Sequence, residues 1–142
     1  MTNEQQSVRE LSMNKYRPFI EAFKAIQNEA HKTAKAKGWW DERNELIAVA
    51  DAYGIGAFAQ KAIKSQMLAL MHSEISEGLE GLRKDLKDDK CPEFDMETVE
   101  LADTFIRMLD YAAGFDLPLA EAIAAKLQMN ATREYKHGGK SF

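Results

Sequence analysis

The sequence predicts an all-α bundle of four to five helices, and three observations carry that reading. Apolar residues recur at helical spacing through most of the chain. No run alternates apolar and polar residues as a half-buried strand would. The segments between the periodic stretches hold the glycines and prolines that end helices.

From Tyr16, "YRPFIEAFKAIQNEAHKTAKAKG" places Phe19, Phe23, Ile26, Ala30 and Ala34 at helical spacing, and Gly38 is a natural stop. "DERNELIAVADAYG" gives a second helix with Leu46, Val49, Ala50 and Tyr53, closed by "GIGAF". A long third helix is expected from about Phe58 to Leu86. The acidic, proline-containing "DDKCPEFD" separates it from a fourth, which begins near Asp95 as N-cap and ends near Gly114. "FDLPLAEAIAAKLQMNATREY" supplies the fifth, with Pro118 in its first turn, where a missing N–H does no harm. Residues 1–14 read as a flexible arm or frayed helix start, and residues 136–142 as an irregular tail.

The 142 residues suffice for one domain burying roughly 70% of its unfolded surface, so 1–142 is read as a single domain. Composition is that of a globular protein, 45% hydrophobic and 30% charged. With 23 acidic against 19 basic residues and no basic stripe, nucleic-acid binding is not expected. The lone Cys91 asks for no oxidising compartment and reads as a solvated loop thiol. No apolar run approaches the roughly 20 residues of a membrane span, and the polar start lacks a signal peptide's apolar segment. A cytoplasmic protein without membrane contact is expected.

At about 100° per residue, the third helix sets Ile63, Met67, Leu68, Leu70, Met71, Ile75, Leu79, Leu82 and Leu86 on one broad arc, which is expected to be buried. Glu74 falls inside that arc and Glu77 at its edge. A carboxylate on a buried face requires an ion pair, hydrogen bonds or a bound cation. Gly78 and Gly81 lie beside the two acids, leaving room for a ligand or for close helix packing, at roughly 1 kcal/mol of helix propensity each.

The fourth helix repeats the spacing with Glu100 and Asp103. Val99, Ala102, Phe105, Ile106 and Leu109 lie opposite, so this pair also reads as surface charge, with Arg107 bridging Asp103 and Asp110. Two antiparallel neighbours offering such pairs would gather four carboxylates around one point. A cage of hard oxygens suits Mg²⁺ or Mn²⁺ rather than zinc, and magnesium held this way recruits substrate phosphates.

"HSEISE", then 22 residues, then "ELAD" resembles the Glu-x-x-Glu and Glu-x-x-Asp signature of the MazG-like all-α nucleoside triphosphate pyrophosphohydrolases. "HKTAKAKGWWDE" resembles the His-then-Gly-Trp-Trp segment of small MazG-like proteins, and "KLQMNATREYKHGGK" their Lys-x-x-x-Asn-x-x-Arg ending with its His-Gly-Gly-Lys tail. The likeness runs from about residue 19 to 140. Residues 41–62 depart from it as an insertion, in the region where a lid or base pocket would lie.

The resemblance implies hydrolysis of an NTP or dNTP between its α- and β-phosphates, giving a monophosphate and pyrophosphate. A narrower activity on dUTP or dCTP is the variant of that reading. The resemblance also implies Glu74, Glu77, Glu100 and Asp103 as ligands of Mg²⁺ or Mn²⁺, one of the glutamates also acting on the attacking water. Lys126 and Asn130, four apart on the fifth helix, are its implied triphosphate contacts.

Arg133, Lys136, His137 and Lys140 follow as basic residues that close over phosphate or simply form a solvated helix end. "GGKS" is not a Walker loop, because position 134 is Glu where that motif needs Gly. Trp39 and Trp40 are candidates to stack on a base, with at least one expected to be a core or interface anchor. His31 and His72 are expected in satisfied structural roles. A homodimer or homotetramer is implied, and the Met-rich and aromatic helices are consistent with a subunit interface.

Two other readings compete. In a non-enzymatic helical protein-binding module the acids would be salt-bridge partners and the apolar arc a groove. A di-iron bundle needs a Glu-x-x-His motif on two helices, and only "EYKH" fits.

Overall fold

The computed structural model describes residues 14–133. Five helices are found among them: α1 (Arg17–Ala36), α2 (Asp41–Ala52), α3 (Gly56–Lys84), α4 (Met96–Gly114) and α5 (Leu119–Ala131). No strand appears among the described residues beyond an isolated bridge between Lys87 and Asp95. None of these helices is long and apolar enough to cross a membrane. The arm and tail expectations fall mainly on residues 1–13 and 134–142, outside the described residues.

The helix ends follow local chemistry. Gly38 (φ 81°) and Gly54 (φ 74°) take the left-handed backbone that turns the chain after α1 and α2, a conformation that costs a residue with a Cβ. Asp85 (φ 51°) does the same after α3, and the N–H of Leu86 returns to the carbonyl of Gly81 at 3.0 Å. Asp95 is the N-cap residue of α4, as expected, but its side chain makes no capping bond and pairs with Lys87 Nζ at 2.8 Å. The connector is tightened by Asp88, a buried residue whose Oδ1 accepts from the N–H groups of Lys90 (2.9 Å) and Cys91 (2.6 Å). Helix α5 starts at Leu119, placing Pro118 one residue before its expected position inside the first turn.

The chain divides into two compact units, Met1–Ile26 with Leu117–Phe142, and Gln27–Asp116, so the boundary falls within α1. In the described part of the first unit, Ile20 and Phe23 of α1 and Ala120 and Ala124 of α5 are buried. An ion pair joins Lys24 to Glu121, and its hydrogen bond holds the glutamate below the usual carboxylate range.

The second unit holds α2, α3, α4 and the end of α1. Residues 41–62, the expected insertion, form α2 and the start of α3. Trp40, Ile63 and Met67 make its core cluster, with Ala34, Ile47, Tyr111 and Phe115 packed against it. Gly114 is required here by space. A Cβ built on it would stand 2.0 Å from the Trp40 ring.

The partners of α3 and α4 run in opposite directions along the chain: Gly81 meets Met96, Gly78 meets Glu97 and Glu100, and Glu74 meets Arg107. The two helices are therefore antiparallel, joined as a hairpin. Gly78 and Gly81 serve close packing rather than ligand space, since a Cβ at Gly81 would fall 2.7 Å from Met96 Cβ and one at Gly78 would fall 3.3 Å from Glu100 Cβ.

This packing corrects the expected apolar arc. The buried face of α3 is Gly56, Ala59, Ile63, Met67, Met71, Glu74, Gly78 and Gly81. Leu68, Leu70, Ile75, Leu79, Leu82 and, just past the helix, Leu86 are exposed. The glycines let α4 approach one side so closely that the leucine side is left facing outward.

Candidate metal centre

The hairpin brings acids from both helices together. Glu74 of α3 and Glu100 and Asp103 of α4 each offer a carboxylate oxygen, and the three atoms lie within 4.8 Å of one another. Glu74 and Glu100 are buried, whereas Asp103 is exposed at the open side. The surface-charge reading of Glu100 is thus corrected. It faces α3 because Gly78 has no side chain to keep it away.

Glu77, one turn beyond Glu74, is exposed and not among these three, yet its charge acts on Glu100. Burial is the largest influence on Glu100. Next come the charge of Glu77, a hydrogen bond with Glu74 and the charges of Glu74 and Asp103, and together they push its pKa up to about 7.

Three hard oxygen donors, two of them shielded from water, could accommodate a divalent cation such as Mg²⁺ or Mn²⁺. The raised Glu100 pKa means that the cluster relieves its mutual repulsion by favouring the protonated carboxyl. Arg107 supplies the other compensation. Its Nη2 forms an ion pair with Glu74 Oε1 at 2.7 Å. The expectation that Arg107 bridges Asp103 and Asp110 on its own helix is corrected by this longer-range pair.

The high pKa of Glu100 has a measurable consequence. Folded protein retains a proton from about pH 4.5 to about pH 7 that the unfolded chain has released, so this contribution to stability is full below the lower value and lost as pH rises through the upper. The melting temperature of metal-free protein is expected to fall across this window. Glu100→Gln, which cannot ionise, is expected to flatten that fall, and an unchanged slope would count against the assignment.

Next to this cluster on α4, Asp110 organises a second polar group. Its Oδ1 accepts from Trp40 Nε1 at 2.8 Å and hydrogen-bonds His31 Nδ1 at 2.7 Å. Trp40 is 4% exposed and lies edge-on to His31 at 5.0 Å and to Phe115 at 5.4 Å. Of the two tryptophans, Trp40 is a core anchor and is not placed to stack on a ligand. Trp39 is 66% exposed. His31 has the structural partner expected for it, and His72 lies exposed on α3.

Lys126 and Asn130 are exposed on α5, and Arg133 is exposed just beyond it, all three within the first unit. Lys136, His137 and Lys140 lie outside the described residues. Of the twelve residues singled out from the sequence at or near a site, the hairpin thus gathers Glu74, Glu100 and Asp103, with Glu77 beside them. Arg107 is the addition, and its pairing leaves no mark in local spacing.

Comparison with models of known protein families, with curated proteins and with solved structures gives no match for this chain.

Proposed function

We propose that the chain is a metal-dependent nucleoside triphosphate pyrophosphohydrolase of the MazG-like type, cleaving an NTP or dNTP between its α- and β-phosphates. The observation that carries this reading is the meeting of Glu74, Glu100 and Asp103 across an antiparallel hairpin. The acid pairs of the Glu-x-x-Glu and Glu-x-x-Asp motifs are distant in sequence, and chance acidic helices have no reason to aim them at one point.

In this reading Glu74, Glu100 and Asp103 hold Mg²⁺ or Mn²⁺, with Glu77 completing the set from the exposed edge. The cation supplies Lewis acidity toward phosphate oxygens and lowers the pKa of bound water. A glutamate of the cluster, Glu74 or Glu77, would take the proton of the attacking water. By resemblance alone, Lys126, Asn130, Arg133, His137 and Lys140 would contact the phosphates, and Trp39 is the exposed aromatic of the two tryptophans. The test is pyrophosphate release from a panel of NTPs and dNTPs with Mg²⁺ or with EDTA. Metal-dependent release supports the reading, and none from any nucleotide counts against it.

We also propose a homodimer or homotetramer, located in the cytoplasm. Leu68, Ile75, Leu79 and Leu82 fall within about 60° of one another on α3, and each is between 46% and 57% exposed. Leu101 and Phe105 of α4 are exposed too. Exposed large apolar side chains in such number support the interface reading. Leu79→Lys with Leu82→Lys is expected to reduce the mass measured by light scattering to that of one chain, while a single-chain mass in the unaltered protein would contradict the proposal. If the panel assay is negative and the stripe instead captures a different helical protein, the binding-module reading takes over.

A further inference from the structure

We infer that Arg107 is a phosphate ligand held in reserve on Glu74, released toward substrate when a divalent cation takes over that carboxylate. The inference rests on the metal-centre reading above and concerns a residue to which the motifs give no role.

The geometry is specific. Arg107 has acids on its own helix at Asp103 and Asp110, four residues before and three after, where ordinary surface pairing would occur. Asp110 is instead engaged by Trp40 and His31, and the guanidinium reaches across to α3 and a buried carboxylate. The Glu74 side chain is 10% exposed and that of Arg107 44%. The arginine therefore comes to the cluster from its solvent side, the side on which Asp103 is open. The ion pair approaches Glu74 through Nη2 alone, and a guanidinium carries five N–H donors in a planar fork suited to phosphate.

Competition follows from charge. A guanidinium and a divalent cation repel each other, and both are drawn to the same Glu74 oxygen. Metal-free, the buried Glu74 carboxylate is compensated by Arg107. Once a cation satisfies Glu74, the guanidinium loses its reason to stay there and stands beside the place where phosphate arrives. A lysine would neutralise Glu74 as a point charge but would lack the fork.

The role predicts effects of opposite sign, which a merely structural ion pair would not produce. Mn²⁺ binding to nucleotide-free protein, followed by electron paramagnetic resonance, is expected to be several-fold tighter in Arg107→Gln, because a competitor is gone. Binding of inorganic pyrophosphate in saturating Mg²⁺, followed by calorimetry, is expected to be about tenfold weaker in the same variant. Arg107→Lys is expected to keep Mn²⁺ affinity near that of the unaltered protein while still weakening pyrophosphate binding, and it carries the test if the glutamine variant does not fold.

Mn²⁺ binding that is unchanged or weaker in Arg107→Gln would make the arginine a support for Glu74 and overturn the inference alone. Unchanged pyrophosphate affinity would do the same. Absence of Mn²⁺ binding in the unaltered protein would overturn the metal centre and this inference together.

Discussion

Replacing Glu74 by glutamine is expected to remove metal-dependent pyrophosphate release, lowering turnover by at least about a hundredfold while the protein stays folded. The magnitude follows from position. Glu74 is a buried donor of the cluster, partnered at once by Glu100 and Arg107, so no other carboxylate can take its place. Glutamine keeps the shape and one oxygen but loses the charge that attracts a cation. Glu80→Gln is the matched control, since Glu80 lies on the same helix but pairs with Lys84 and Arg83 on the surface, where ion pairs contribute little. Equal activity in the Glu74 and Glu80 variants, with unchanged circular dichroism, would contradict the assigned role.

Trp40→Ala carries the largest expected effect on stability, a loss of about 3–5 kcal/mol by urea denaturation at fixed protein concentration. Three costs combine. The indole fills the space between Ile63, Met67 and Phe115, so its removal leaves a cavity. Asp110 loses one of its two donors, which leaves a buried carboxylate less well compensated. Gly114, whose close approach exists to accommodate the ring, is left facing a void. Trp40→Phe is expected to recover part of the packing but not the hydrogen bond. Trp39→Ala is expected to change stability by no more than about 0.5 kcal/mol, as befits an exposed side chain. A similar loss in both alanine variants would show that the core does not rest on Trp40.

Much of the fold was legible in the chain because the signals are local. Gly38 and Gly54 end helices where left-handed backbone is needed, and Pro118 and the acidic connector stand where helices cannot run on. Burial was harder to read. A helical wheel assigns the inside to whichever side is most apolar, which on α3 means the leucines. The actual packing side was chosen by Gly78 and Gly81, which admit the α4 backbone and carry Glu74 and Glu100 inward with it.

The same cause explains why Glu100 read as surface charge. Its own helix gives no hint that a glycine stands opposite. Spacing along one helix names Asp103 and Asp110 as the neighbours of Arg107, whereas its partner, Glu74, lies on another helix. His31 and Asp110, 79 apart in sequence, meet only through the folding of α1 against α4. The acid motifs themselves were legible, because residues three apart on a helix share a face whatever the helix later packs against.

The most direct measurement of the central claim is Mn²⁺ binding to the full chain, read by electron paramagnetic resonance in the unaltered protein and in Glu74→Gln and Glu80→Gln. Bound Mn²⁺ is expected in the unaltered protein and in Glu80→Gln, and its loss in Glu74→Gln. Binding that survives in Glu74→Gln, or that is absent from the unaltered protein, would contradict that claim.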